Sequence, residues 1–285
     1  MTDRLGEEVA AALGVRMRHA RPLGGGCIGE VYRVDLSDGS RLVAKVDPDR
    51  AANLQREAYM LRYLREKSQL PVPEVYHDSP TLLLMEFIQG DGGIADERVQ
   101  EHGADLLAAL HGITADHFGH ERDTLIGSLD QPNPPNGSWV DFFREQRLLY
   151  LARVANESGR LPEATRHRLE RFAGTLEERL PDAGQPSLIH GDVWSGNVVA
   201  KDGGVAAFLD PAIYYADPEM ELAFIHLFNS FGKPFFTRYR EVRGIEEGFE
   251  ERREVYNLYP LLVHTHFFGG GYRRAVEATL ERFGF

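Results

Sequence analysis

The sequence predicts an α+β molecule of two lobes, with a β-rich N-terminal lobe carrying one main helix and a mainly helical C-terminal lobe. Three observations carry this prediction. Five strand-like runs and one helical run occupy residues 1–88; the Gly- and Asp-rich link GDGG follows at 90–93; beyond it helical patterning dominates everywhere except 187–210. The boundary is accordingly placed between 88 and 89, giving lobes 1–88 and 89–285.

Residues 15–46 read as three strands. The second and third, VYRVDLS and RLVAKV, flank Asp38-Gly39, a short-range hairpin signal that supplies a residue tolerant of positive φ. From Asn53 to Arg65 the apolar residues Leu54, Ala58, Leu61 and Leu64 recur at helical spacing. Pro71 and Pro73 punctuate the chain, after which VYHD and TLLLMEF read as two further strands. In the second lobe, 104–111 is helical and NPPNG at 133–137 is loop. Ser138 with Asp141 three residues on forms a helix start ahead of FFREQRLLYLARV. SLIH, NVVA and VAAFLD are short strands around a KDGG turn, and helices resume from Asp217 to the end.

Composition bounds the function. A formal net charge of −12 argues against a sequence-independent nucleic-acid binder, which needs Lys and Arg to displace phosphate counterions. The single cysteine, Cys27, excludes an intramolecular disulfide framework and fits a reducing compartment, so a cytoplasmic setting is expected. The acidic N-terminal stretch does not read as a signal peptide, and no apolar run is long enough to span a membrane. Neither a nucleic-acid nor a membrane partner is expected.

The strongest chemical signal is His190-Gly191-Asp192-Val193-Trp194-Ser195-Gly196-Asn197, followed by Phe208-Leu209-Asp210-Pro211. Phosphoryl transfer asks a protein for an acceptor hydroxyl held in line and for divalent metal to neutralise crowded phosphate oxygens. Asp192, at a strand end, suits the base that orients that hydroxyl and accepts its proton. Asn197, five residues on, and Asp210, across a hairpin, suit Mg²⁺ as hard oxygen donors. Protein-kinase catalytic loops share this spacing. Singly, Asp and Asn are turn formers; the joint pattern is far more specific. Leu209-Asp210-Pro211 departs from Asp-Phe-Gly, which weakens any expectation of activation-loop switching but leaves the metal role intact. His190 reads as a hydrogen-bonder bracing the loop.

The remaining nucleotide signals are positional. Gly24, Gly25, Gly26, Cys27, Ile28 and Gly29 lie between the first two strands, where backbone N–H groups can approach phosphate oxygens without a Cβ in the way. Lys45, on the third strand, is expected to contact the α- and β-phosphates and to pair with Glu57, which flanks the apolar stripe of the following helix. Met85, Glu86, Phe87 and Ile88 run into the link, where chain order places an adenine-binding edge. Together these residues imply ATP and Mg²⁺ as cofactors. Asp217-Pro218-Glu219 reads as a helix start, and His264 and His266 do not share a helix face, so neither marks a site. Cys27 reads as a small loop residue; exposure beside backbone amides would instead make it oxidisable, which leaves a monomer or a Cys27-linked dimer open.

On these residues the chain resembles the fructosamine kinases, or ketosamine-3-kinases, which share the protein-kinase-like fold with the aminoglycoside phosphotransferases. The likeness runs from Gly24 to Phe285. Its most specific stretch is His190 to Asn197, where Trp-Ser-Gly at 194–196 resembles the ketosamine group; the run Asp210 to Asp217, Tyr256-Asn257-Leu258-Tyr259-Pro260 and Phe268-Gly269-Gly270-Gly271-Tyr272 resemble it as well. The resemblance implies phosphorylation at the 3-hydroxyl of a ketoamine (a fructosamine, ribulosamine or erythrulosamine, free or on a glycated lysine), followed by spontaneous breakdown of the adduct. Trp194 and Tyr214 are the side chains expected beside the sugar or its amine, where an aromatic face attracts an ammonium; lobe packing is the alternative for both. The competing functions are a kinase of the same fold for another amino alcohol, such as an aminoglycoside or choline, and a nucleotide-binding regulator without transfer activity.

Overall fold

A computed structural model of the chain describes residues 2–24, 30–47, 53–181 and 184–285. The N-terminal part contains α1 (Thr2–Leu13), β1 (Met17–Pro22), β2 (Glu30–Leu36), β3 (Arg41–Val46), α2 (Asn53–Lys67), β4 (Val75–Asp78) and β5 (Leu82–Glu86). Its five strands form one antiparallel sheet in the order β1-β2-β3-β5-β4. Gly39, at φ +90°, turns the chain from β2 into β3 as the Asp-Gly pair predicts, and Asp38 Oδ1 accepts from Ser40 N at 2.9 Å to fix that turn.

Side-chain alternation gives the sheet two different faces. Leu42, Ala44, Leu82 and Leu84 pack with Leu5 and Val9 of α1. The sequence reading did not assign that helix. Leu83 and Met85 point the other way and join the larger core that includes Leu54, Ala58, Leu61 and Leu64 of α2. Lys45, opposite Leu83 in the β3–β5 register, shares this second face. Strand parity therefore turns its side chain toward α2.

The C-terminal part is mostly helical: α3 (Glu97–His111), α4 (Trp139–Phe142), α5 (Tyr150–Glu157), α6 (Glu163–Ala173), α7 (Glu219–Leu227), α8 (Lys233–Val242), α9 (Phe249–Tyr256), α10 (Leu258–Phe268) and α11 (Gly270–Arg282). Ser138 caps α4 by accepting from Asp141 N at 3.3 Å. Between α4 and α5 the helix widens to π geometry over Phe143–Leu149, where the sequence reading has one continuous helix. Three two-stranded ribbons complete this part: β6 (Thr124–Ile126) with β7 (Leu129–Gln131), β8 (Ser187–Ile189) with β11 (Tyr214–Ala216), and β9 (Val198–Lys201) with β10 (Gly204–Phe208). The β6–β7 hairpin and β11 correct the expectation that strands recur only within 187–210. Among the described residues no helix is long and apolar enough to cross a membrane.

The link between the parts is pressed against the β9–β10 ribbon. Asp91 N donates to Ala200 O at 2.9 Å, and a Cβ on Gly90 would lie 2.9 Å from Val199 Cγ1. Glycine is needed there for close approach.

Candidate active site

The ribbons bring the sequence-predicted residues together. His190 to Asn197 form the loop leaving β8 and entering β9; β10 returns antiparallel and delivers Asp210. Leu209 N donates to Asn197 O at 2.8 Å and Ala212 N to His190 O at 2.7 Å, so both ends of the Asp210 segment are tied to the loop. Asn197 Nδ2 donates to Asp192 Oδ2 at 2.9 Å and to Asp192 O at 3.0 Å, which orients the carboxylate and leaves the amide oxygen of Asn197 as its other polar face. Asp210 itself has φ +51°, a conformation that non-glycine residues rarely adopt and that accompanies functional sites.

Lys45 joins this group from the sheet. Its Nζ lies 2.6 Å from Glu57 Oε1 and 2.5 Å from Asp210 Oδ1. The helical phase of α2 and the parity of β3 thus produce the expected Lys45–Glu57 pair, and the contact to Asp210 ties the sheet to the C-terminal part. Burial by itself would depress the lysine's pKa, but the charges of Asp210 and Glu57 outweigh it and hold the ammonium protonated. Asp192 is pushed up to about 8 by burial first and by the negative charge of Asp210 second, with the Asn197 hydrogen bond opposing. Two carboxylates, those of Glu57 and Asp210, share one ammonium. This excess of negative charge, with hard oxygen donors on Asp210 and Asn197, is a donor set that suits Mg²⁺, an ion that takes few protein ligands and completes its shell with phosphate and water. No cluster of three or more His, Cys, Asp or Glu with metal-binding geometry occurs among the described residues.

Trp194 is 44% exposed at the lip of the loop, and its indole covers Gly196 so closely that a Cβ there would lie 2.3 Å from the ring. Tyr214 requires correction. It is 1% exposed, enclosed with the guanidinium of Arg147 3.9 Å from its ring centre, so its face is taken by the core and is not presented to a substrate. Pairing of β11 with β8 turns Tyr214 inward opposite Ile189. His190 is buried and accepts from Asp192 N at Nδ1 (3.3 Å), the bracing role its position predicts. Asp217 accepts from Glu219 N at 2.9 Å as a cap would, although α7 starts at Glu219 with Pro218 in the cap position; its second oxygen accepts from Tyr256 Oη at 2.7 Å.

Of the glycine-rich run only Gly24 lies within the described residues; Gly25, Gly26, Cys27, Ile28 and Gly29 lie outside them. The strands on either side of it are paired, with Leu23 N donating to Val31 O at 2.8 Å. Met85 is buried beside Val43, and the Phe87 ring lies 5.8 Å from the Arg33 guanidinium. Glu86 and Ile88 line a cavity of about 450 Å³ with Leu70, Pro71, Val72 and Ala206, which none of Lys45, Asp192, Asn197 or Asp210 reaches.

The sequence reading missed Glu221 and His111, which lie behind the loop; the available signal was an acid inside the otherwise apolar run Met220–Ile225. It also missed Arg147, buried in the π segment with its guanidinium donating to Pro132 O and Asn133 Oδ1.

Known proteins share this architecture. The family model described as fructosamine kinase matches residues 2–283. The "Probable ketoamine kinase" of Synechocystis sp. is 34% identical over 276 residues, covering 94% of this chain and 90% of that protein. The chloroplastic protein-ribulosamine 3-kinase of Arabidopsis thaliana is 30% identical over 269 residues, 91% of this chain and 80% of the plant protein. A crystal structure assigned to fructosamine-3-kinase of Thermobifida fusca superposes with a TM-score of 0.86 at 32% identity, covering 97% of each chain. More distantly, a thermostable aminoglycoside phosphotransferase in ternary complex with AMP-PNP and hygromycin B has a TM-score of 0.68 at 19% identity, covering 97% of this chain and 98% of the other, a likeness of fold alone. With the family model spanning nearly the whole chain and relatives above 30% identity, the two-part architecture is that of a kinase-like fold, and the chain belongs to the fructosamine kinase family.

Proposed function

We propose that this kinase transfers the γ-phosphoryl group of ATP to the 3-hydroxyl of a ketoamine (a fructosamine, ribulosamine or erythrulosamine), in a cytoplasmic setting, and so initiates deglycation. The observation that carries the reading is the convergence of Asp192, Asn197 and Asp210 with the Lys45–Glu57 pair across the junction of the two parts. Residues 1–88 serve as the nucleotide lobe and 89–285 as the catalytic and substrate lobe.

In this reading Lys45, held by Glu57, binds the α- and β-phosphates, the run Gly24–Gly29 covers them, and the backbone over Met85–Ile88 meets the adenine. Asp210 and the amide oxygen of Asn197 would hold Mg²⁺, which would supply positive charge to the phosphate oxygens. Asp192 accepts a hydrogen bond from the 3-hydroxyl and takes its proton. As the acceptor oxygen bonds to phosphorus, the bond from the γ-phosphorus to the bridging oxygen breaks, and ADP departs with that electron pair. A carboxyl raised to about 8 is a stronger base than an ordinary aspartate, which suits proton transfer near neutrality. The exposed face of Trp194 stands beside the loop and offers a surface for the sugar or its ammonium.

The test is ADP release measured against ribuloselysine, fructoselysine, choline and an aminoglycoside. Turnover with the first two is expected. Turnover confined to the last two would overturn the substrate assignment, and phosphorylation of none, despite tight ATP binding, would point to a regulator.

A further inference from the structure

Gly191 has φ +86°, and a Cβ there would lie 2.2 Å from Ala212 O, so only glycine fits the turn before Asp192. The backbone N–H groups at this turn are not left to water. Gly191 N donates to Glu221 Oε1 at 2.6 Å, and His190 N donates to Glu221 Oε2 at 3.3 Å. Glu221 is 1% exposed in α7, between the buried Met220 and Leu222. Its Oε2 also accepts from His111 Nε2 at 2.8 Å, and His111 Nδ1 meets Tyr239 Oη at 2.6 Å. His111 closes α3 and Tyr239 lies in α8; both are buried.

A carboxylate taken out of water is unfavourable unless its oxygens are satisfied. Here three N–H donors satisfy it. Although burial pushes the Glu221 carboxyl up, His111 and the Gly191 amide outweigh burial and keep it below the usual range. Apolar side chains of similar volume would serve plain packing as well or better. What they could not do is hold two successive loop amides, immediately before Asp192, to three helices at once.

We propose that Glu221, backed by His111 and Tyr239, positions the catalytic loop: it fixes the backbone at His190–Gly191 and so sets the direction in which Asp192 presents its carboxylate to the acceptor hydroxyl. All three side chains are buried behind the loop, so they act through Asp192 and touch no substrate. The inference rests on Asp192 being the base. Misaim at this point costs turnover more than nucleotide affinity, because Lys45 and Glu57 approach from β3 and α2.

Full-length Tyr239→Phe, His111→Gln, His111→Phe, Glu221→Gln and the double variant Glu221→Gln/Tyr239→Phe would be compared for kcat, for KM of ATP and ketoamine, and for melting temperature. Tyr239→Phe, the mildest change, is expected to fold and to lose about threefold to tenfold in kcat, the worth of one hydrogen bond, with KM for ATP within about twofold. Glu221→Gln is expected to lose about a hundredfold in kcat. His111→Gln, which keeps a donor facing Glu221, should recover most of the kcat lost in His111→Phe. The double variant should be little worse than Glu221→Gln alone, since Tyr239 acts through the same carboxylate. Unchanged kcat in folded Tyr239→Phe and Glu221→Gln, a KM for ATP that rises in step with falling kcat, or fully additive losses would each overturn the inference. Asp192→Asn separates the two claims. If it abolishes turnover while the Tyr239 and Glu221 variants keep theirs, only the positioning role fails; if it retains turnover, the base assignment fails and this inference with it.

Discussion

Replacing Asp192 by Asn should make the protein more stable while removing its turnover. The folded chain holds this carboxyl at about 8 against an ordinary 3.8, through burial and then the charge of Asp210. A carboxyl raised on folding binds its proton more tightly in the native state. Its contribution to stability is therefore fully present below the unfolded pKa of about 3.9 and is lost as pH rises through the folded value. At pH 7 the interval of roughly three units, at ~1.4 kcal/mol each, gives ~4 kcal/mol as an upper bound. The side chain is only partly buried, and solvent screening brings this to about 1–2 kcal/mol. Asn has the same shape, carries no charge and can still accept from Asn197. For a chain of this size ~1–2 kcal/mol is a gain of about 2–3 °C in melting temperature. The assay is thermal unfolding of both proteins from pH 4 to pH 9 without nucleotide or divalent metal. The difference should be small at pH 4 and widen to pH 8, while kcat of the variant falls by about 10²–10⁴-fold. A variant no more stable than the parent at pH 8, or a difference that does not widen with pH, would refute the reasoning.

Asp210→Asn removes an anionic metal donor and one of the two carboxylate partners of Lys45, so Mg·ADP affinity measured by calorimetry should fall about tenfold or more; unaltered affinity would contradict the assigned role. Gly191→Ala forces a Cβ to 2.2 Å from Ala212 O at φ +86°; a loss of about 3 kcal/mol or more is expected from denaturant unfolding. Gly196→Ala must displace the Trp194 ring, since its Cβ would come within 2.3 Å. KM for the ketoamine should rise about threefold to tenfold with KM for ATP unchanged, and the emission of the exposed Trp194 should shift while the buried Trp139 reports no change.

Elements with strong local periods were legible in the sequence. The β2–β3 hairpin follows from Asp38-Gly39, and α2 from the stripe Leu54, Ala58, Leu61 and Leu64, whose phase also turns Glu57 toward Lys45. Short elements were harder to read. Thr124–Gln131 forms a hairpin around Gly127-Ser128, a pair that signals such turns, but its strands have three residues each and no period to display. The π segment at Phe143–Leu149 carries the same apolar spacing as an α-helix over so short a run, so nothing local distinguishes it.

By itself the sequence determined which residues carry oxygen and charge, and in what chain order: Asp192, Asn197 and Asp210 at fixed spacing, with Lys45 and Glu57 upstream. Tertiary structure decided the neighbours that tune them. Contacts between residues more than a hundred positions apart, such as Lys45 with Asp210 and His111 with Glu221, leave no periodic trace in a single chain, because each depends on how separately formed elements pack. The same packing put Trp194 at the surface and Tyr214 in the core. Two aromatic residues with the same promise in the sequence were separated by strand parity and by the buried guanidinium of Arg147.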